Sequence, residues 1–562
     1  MDKRTILAIV LSLAVLLVYQ IFFVKPPTPQ KAAAPQQATS QISKEKSAAP
    51  AATSTATNTV AKSAPKAAAA KPEAPARDIK VETIHYTAVF STRGAALKSF
   101  KLKNYYQDCY ECTDDIWPRV KRFFTGKKEA IKPKTKDFVE LVDIHDGKPY
   151  PLAVTFPDSS VDVAPDAIFD TNTGKLDLIN TKEKQQLVFS RSSDGVKIEK
   201  IFTLDPAGYV IGLEVKVHNL TSSPITQVPR INWYQYVDPQ KVDDSYGHDG
   251  PAVSVGGSIE RQEVKKLDRE VVLGPNILWG AFEKKYFIAS FIPENPSLTN
   301  IVMTREADHM VAVGMKGRKE LIPGGQNSAF SYSLYLGPKQ YDILKTIGVG
   351  LEDAIDFGWF WWLAIPSLFI LNFLYGFVLN YGIAIIILTT IIKIIFWPLG
   401  NLSYKSMNEM KKLQPKIEAL KTKYKNDQAK IGQETMALYR EHKVNPFSGC
   451  LPMLIQIPVF FGLYKALMYS IELRHSPLFF WIQDLSAKDP YYITPIIMGA
   501  TQFLSQKMTP AMGDPMQQKV MLLMPVIFTF FFLNFPSGLV IYWLFNNILQ
   551  IGQQFYINKK LA

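Results

Sequence analysis

The sequence predicts an α-helical membrane bundle of six spans, five of them in a C-terminal core, with a large extracytoplasmic antiparallel β-sandwich and a cytoplasmic helical hairpin. Three observations predict it. Uncharged apolar runs sit at both ends of the chain, period-two alternation fills the middle, and a basic, helix-periodic loop interrupts the C-terminal runs. The 562 residues are 47% hydrophobic with a net charge of +13, which excludes collagen-like and fully disordered classes. Three cysteines in this length cannot be a disulfide framework. The basic residues flank apolar runs, so the charge indicates a membrane and no specific nucleic acid.

Residues 1–24 read as a signal-anchor span. Lys3 and Arg4 precede the uncharged run Ile6 to Val24, close to the ~20 residues that cross a hydrocarbon core. A cleavable signal would have a shorter apolar stretch with small residues close behind it, whereas Ala32-Ala33-Ala34 follows only after Pro26, Pro27 and Pro29. The short basic flank places the N-terminus in the cytoplasm. Residues 25–77 are rich in Pro, Ala, Ser, Thr and Lys and read as a disordered linker.

Residues 78–340 read as the periplasmic sandwich. Ile211, Leu213, Val215 and Val217 alternate with polar or small neighbours, and Asp194-Gly195 separates two short apolar alternations as a hairpin turn would. His85, His145, His218, His248 and His309 are scattered rather than set at metal-ligand spacing, so neither a metal nor a cofactor is expected. A sugar-binding or epimerase site assembled from distant strands has no visible signature. Cys109 and Cys112 form an isolated C-x-x-C, read as a local disulfide rather than a redox or zinc motif.

Residues 341–382 read as a juxtamembrane segment with an interfacial helix, and 383–562 as the core, with the hairpin at 401–446. Lys411, Lys412, Lys416 and Lys421 lie among the basic residues of the loop, which keeps it cytoplasmic. Only one crossing, Ile383 to Leu399, then fits between sandwich and loop. The preceding run Trp359 to Leu379 is placed along the outer interface, marked by Trp359, Trp361 and Trp362, with a further span as the alternative. Within the loop, Met407, Met410, Leu413, Ile417, Leu420 and Tyr424 keep helical spacing. Asn426-Asp427-Gln428 interrupts, and Pro415 is expected to kink or restart the first arm. The arm docks a partner or nascent chain, or serves only as a solvated linker that fixes topology.

Lys393 stands inside the first core span with Thr389 and Thr390 on its face, six residues short of Leu399, or roughly 9 Å along a helix. An intramembrane lysine must face a wet cavity, find a partner or snorkel. No predicted span holds Asp, Glu or His, but neutral polar residues abound: Gln456, Gln502, Gln506, Asn534, Asn546, Asn547 and Gln550. They describe a hydrated groove with one positive charge. Lys465, near the outer end of its span, is expected to snorkel. Without a G-x-x-x-x-G-K-[ST] motif or a catalytic pair, nucleotide hydrolysis and catalysis are unsupported, and the protein is not expected to be an enzyme. A solute transporter or channel is the alternative that polar spans leave open, and a carbohydrate-binding module on a passive anchor is a third.

Met410-Lys411-Lys412-Leu413-Gln414-Pro415-Lys416-Ile417, Lys443-Val444-Asn445-Pro446, Gly449-Cys450-Leu451-Pro452 and Ile455-Gln456-Ile457-Pro458 resemble the YidC family of membrane protein insertases in its long form. Asp489-Pro490-Tyr491-Tyr492-Ile493, Asp514-Pro515-Met516-Gln517-Gln518-Lys519 and Phe535-Pro536-Ser537-Gly538-Leu539 continue the match in order, and Ser91-Thr92-Arg93-Gly94 extends it weakly into the sandwich. The resemblance implies insertion and folding of nascent inner-membrane proteins, alone or with the Sec translocon. It implies a groove open to the cytoplasm and inner leaflet, with the family's intramembrane charge on Lys393 where many relatives carry Arg. Gln456 matches a groove-lining position. Tyr542 and Trp543 fall in an aromatic substrate-contact segment, where Trp543 replaces a common Tyr. Asn534 stands where Trp is frequent, so nothing carries over there. The family's sandwich resembles galactose-mutarotase folds without that activity. Partners implied are nascent membrane proteins, membrane lipids, the Sec translocon, and a ribosome or targeting machinery at the hairpin. The short tail Asn558 to Ala562 argues against the basic-tail ribosome contact of some members.

Overall fold

The computed structural model describes residues 75–109, 137–145, 147–238, 247–306, 308–425, 427–442, 444, 451–509 and 515–561. The signal anchor, nearly all of the linker, Cys112, Lys443 and Cys450 lie outside the described residues. Cys109 is disulfide-bonded.

Strands run from Asp78–Glu82 to Asn327–Pro338 and form two five-stranded sheets, one eight-stranded sheet and a two-stranded ribbon. The eight-stranded sheet is antiparallel throughout. Its strand Val210–Asn219 buries Ile211, Leu213, Val215 and Val217 on one face, as the alternation requires. Gln185–Ser193 and Val196–Leu204 are joined at Asp194 (φ 52°) and Gly195 (φ 75°). Both φ values are positive, which gives the hairpin the twist its strands need. One pairing departs from the antiparallel expectation. Asp78–Glu82 runs parallel to Lys175–Asp177, and the long intervening chain supplies the crossover that parallel strands demand.

Lys200 stands out in this core. It is fully buried, and its ammonium donates to the carbonyls of Gly94 (3.0 Å), Ala95 (2.5 Å) and Leu152 (2.7 Å). One side chain thus ties together two loops from opposite sides of a sheet interface, and the three acceptors offset part of the cost of desolvating a charge.

The helices are α1 (Tyr341–Ile347), α2 (Trp361–Val378), α3 (Tyr381–Ile395), α4 (Trp397–Lys423), α5 (Gln428–Glu441), α6 (Leu451–Tyr469), α7 (Ile493–Met508), α8 (Pro515–Phe532) and α9 (Ser537–Leu561). They pack in the succession α6, α2, α3, α9, α7, α8, while α6 meets α9 only sparsely. Small residues set the close approaches. A Cβ on Gly499 of α7 would lie 1.9 Å from the Thr529 hydroxyl of α8, and one on Gly462 of α6 would lie 2.8 Å from Leu363 of α2. Among the described residues α2 is long and apolar enough to cross a membrane, and α3 with α4 passes the same test as a pair bent by 60°.

That bend changes the position expected for Lys393. The apolar run does not continue as one helix to Leu399; α3 stops at Ile395, so Lys393 lies in its last turn. Pro398 was the available signal, because it disfavours helical backbone just before it and fits the first turn of the next helix. Pro415 does not restart the hairpin arm, since α4 continues through it to Lys423. Asp427 caps α5 by accepting from the Lys430 amide at 3.0 Å, and Tyr404, Met407 and Met410 of α4 pack with Ile557 of α9.

Burial pushes the Lys200 ammonium down to about 7 from 10.5. Between those values the unfolded chain binds more protons than the native one, so stability rises with pH. Lys200→Met should flatten this rise between about pH 7 and 9 in thermal unfolding of the full chain. An unchanged slope would contradict a strongly desolvated ammonium.

Candidate functional site

The bundle has two unlike ends. At the end facing the β-rich domain, the loop between α6 and α7 folds over the helices. Its Leu478 carbonyl accepts from Asn380 Nδ2 at 2.9 Å, just before α3. Its Ala487 and Leu485 carbonyls accept from the amides of Ser537 (2.7 Å) and Gly538 (2.9 Å) at the start of α9. Leu478, Ile482 and Leu485 complete an apolar cluster with Tyr381, Ala384, Ile385 and Leu388 of α3 and Leu539, Val540 and Ile541 of α9. This end is sealed.

Asp489 organises the seal. It is fully buried and accepts from Trp481 Nε1 (3.1 Å), the Tyr491 amide (2.9 Å), the Thr494 amide (2.7 Å) and the Thr494 hydroxyl (2.6 Å). Four donors around one carboxylate are what keeps a buried anion affordable. Asp489 is visible in the sequence only as part of a motif, because Trp481 and Asp489 lie in an irregular loop where no helical or strand period relates them.

The seal is also joined to the β-rich domain. Arg474 donates to the Gln107 carbonyl at 2.8 Å and lies over the Phe287 ring. Lys465 is not left alone near the end of its helix; it pairs with Asp356 at 2.6 Å. The partner stands more than a hundred residues earlier, so no local pattern could reveal it. Behind it Glu283, fully buried, is held by Lys339 and by Arg261 at 3.5 Å, and these cations keep its carboxyl below the usual carboxylate range despite burial. Ala364 and Leu368 of α2 and Ala466 of α6 belong to the same apolar core as the sandwich.

Away from the seal, polar side chains replace apolar ones. Gln456 of α6 reaches the Tyr542 hydroxyl of α9. The next residue, Trp543, donates from Nε1 to Gln502 Oε1 of α7 at 3.1 Å. Consecutive aromatics on α9 therefore contact the amides expected on two separate helices. Phe460, Phe528 and Phe532 surround the Trp543 ring at centroid distances of 4.7, 6.1 and 5.3 Å, an aromatic floor between α6, α8 and α9. Asn546 and Gln550 follow on α9, both half-buried.

Lys393 joins none of these pairs. Among the described residues no hydrogen bond or ion pair engages it, and its side chain is half-buried. It stands in the last turn of α3, where a helix C-terminus favours a cation by about 0.3–1 kcal/mol. Thr390 is half-buried on the same side. Thr389 is turned into the packed interior, and the two hydroxyls donate to the Ile385 (2.6 Å) and Ile386 (2.8 Å) carbonyls of their own helix. On the hairpin Lys411, Lys412, Lys416 and Lys421 are all exposed. Lys412 pairs with Glu409 at 3.1 Å, and Lys416 donates to His442 Nε2 at 2.9 Å, bridging α4 to the end of α5.

A bundle of apolar helices carrying scattered polar side chains, covered at one end by a loop joined to a β-rich domain, is the architecture of a membrane-embedded protein with a large domain outside the bilayer. Residues 373–562 match the 60Kd inner membrane protein family and residues 127–371 the YidC periplasmic domain. The membrane protein insertase YidC of Syntrophus aciditrophicus is 54% identical, and that of Citrifermentans bemidjiense 43%, each over the full length of both chains. A solved active YidC insertase is similar at 20% identity and a TM-score of 0.36, covering 87% of this chain and 93% of that one. A galactose mutarotase-like protein from Lactobacillus casei is similar over 46% of this chain and 99% of its own, at 13% identity and a TM-score of 0.31. The chain belongs to the YidC family of membrane protein insertases.

Asp489→Ala would strand several buried donors and should cost about 2–4 kcal/mol in unfolding of the purified protein, whereas Trp481→Phe, which removes one donor, should cost about 1 kcal/mol. Equal losses would contradict Asp489 as the centre of the seal.

Proposed function

We propose that this protein inserts nascent inner-membrane proteins by letting a polar flank enter a hydrated groove beside Lys393 while the adjoining apolar segment moves sideways into lipid. The observation that carries this reading is the unpaired ammonium in the last turn of α3, half-buried and without a carboxylate partner among the described residues. A cation facing lipid at mid-span costs about 2.5–3.5 kcal/mol on insertion scales, so such a residue calls for water or for a visiting anion. Acidic flanks supply the anion. A membrane potential adds about 2.3 kcal/mol per elementary charge per 100 mV, drawing acidic flanks outward without nucleotide hydrolysis.

Gln456, Gln502 and Trp543 line this groove, with Tyr542 packed behind them at 2% exposure, Thr390 beside the charge and Thr389 bracing its helix. The seal over the domain end stops the path partway, so cargo leaves toward lipid rather than through a pore. The protein is a multi-pass inner-membrane protein with six spans and both termini cytoplasmic: the anchor 1–24, then α3, α6, α7, α8 and α9. The linker 25–77 leads to the periplasmic domain 78–340. The juxtamembrane segment 341–382 carries α2 along the outer interface, a placement supported by Ala364 and Leu368 sharing the sandwich core and by the Phe369 ring contacting Tyr341. The core 383–562 includes the cytoplasmic hairpin 401–446. Its exposed Lys411, Lys412, Lys416 and Lys421 form the docking face for targeting machinery, ribosome or nascent chain, and the Sec translocon is a partner for larger substrates.

Lys393→Glu should impair insertion of acidic-flanked substrates by at least about tenfold relative to Lys393→Arg, the equivalent of ~1.4 kcal/mol. Equal insertion by the two variants would remove the charge from the mechanism. A cysteine at Gln456 should react with a membrane-impermeant polar thiol reagent applied from the cytoplasmic side. Protection in the resting protein would mean a dry bundle.

A further inference from the structure

The bend that brings Lys393 to a helix end is held from another helix. Gln553 of α9 is almost fully buried, 2% exposed, and both bonds of its amide go to the first turn of α4. Nε2 donates to the Trp397 carbonyl and to Asn401 Oδ1, each at 3.0 Å. Gly400 lies against it so closely that a Cβ there would stand 2.5 Å from Nε2. Helix α9 packs along both α3 and α4 and so spans the bend as a splint. Elsewhere α9 meets α3 through Val540 and Ile541 and α4 through Ile557 against Met407 and Met410, with polar contacts farther from the bend where Asn558 Oδ1 accepts from Asn408 Nδ2 at 3.3 Å and Gln550 meets the Tyr404 hydroxyl. Apolar contact is non-directional, whereas two hydrogen bonds from one planar amide fix how α4 leaves the bend.

We propose that Gln553 is a positioning residue that clamps the α3–α4 bend and so holds Lys393, four residues before Trp397, where acidic flanks of substrate meet it. The bend has an intrinsic hinge, since Phe396 has left helical geometry (φ −88°, ψ 4°) and Pro398 cannot donate a backbone hydrogen bond. With the amide replaced by an apolar group, α4 is free to swing, and the last turn of α3 turns with it. Gly400 is the second half of the clamp, because any side chain there drives Gln553 off its acceptors.

The inference rests on the role proposed for Lys393, and the test separates the two. Insertion by the reconstituted full-length protein is measured for an acidic-flanked single-span substrate and for the same substrate with a neutral flank. Lys393→Ala, Gln553→Leu and Gly400→Ala are made singly, and the last two also in the Lys393→Ala background. Gln553→Leu and Gly400→Ala should each lower insertion of the acidic-flanked substrate roughly fivefold, the scale of a lost buried hydrogen bond, and leave the neutral one within about twofold. In the Lys393→Ala background neither should add a further loss, because residues that act through one another are not additive. In a Lys393→Cys protein, Gln553→Leu should also change the labelling rate of the thiol. Equal losses for both substrates, or full additivity with Lys393→Ala, would overturn the positioning role and leave Gln553 as a packing residue. No effect of Lys393→Ala on the acidic-flanked substrate would overturn the functional reading and the inference with it. If Gln553→Leu does not accumulate, Gly400→Ala decides by the same criteria, since it leaves the amide intact.

Discussion

The constraint on which this structure turns is the positive charge of Lys393, placed among apolar helices with no carboxylate paired to it among the described residues. Every predicted span lacks Asp and Glu, and the described residues offer Lys393 no hydrogen bond or ion pair. A buried ion pair would have satisfied the ammonium permanently and left nothing to attract cargo. The last turn of α3 and a polar-lined interior offer partial compensation instead. That keeps the site tolerable at rest and leaves it able to respond to an incoming anion.

The rest of the architecture makes such a site safe. A wet, charged interior open at both ends would leak ions, so one end must be closed. The loop between α6 and α7 does this by covering α3 and α9, and Asp489 gives the loop its shape with bonds that never leave the loop and the start of α7. Arg474, Lys465 and the core shared with Ala364 and Ala466 join the seal to the β-rich domain. That domain thus braces the covered end of the bundle.

The sequence made much of this legible wherever the governing forces are local. Alternating burial at Val210–Asn219 and the Asp194-Gly195 turn follow from strand pleating and from backbone twist, and both are present. The amides Gln456 and Gln502 were readable as polar residues in apolar runs, yet their pairing with Tyr542 and Trp543 depends on how four helices are arranged. Sequence distance explains the misses. The Lys465–Asp356 pair is invisible locally because its members are remote in the chain, and Gln553 carries no signal of its own because its meaning lies in Trp397 and Asn401. The early end of α3 is different: Pro398 announced it, but apolarity alone was allowed to set the length of the span.

A hydrated groove holding Lys393 should suffice by itself to move short polar flanks across the bilayer. Purified protein reconstituted alone into liposomes tests it most directly, with a small single-span substrate and no nucleotide or other protein present. The substrate should become inserted, and a potential positive on the side of the membrane opposite the added substrate should speed acidic-flanked versions. Liposomes that conduct small solutes but leave the substrate outside the bilayer would contradict it.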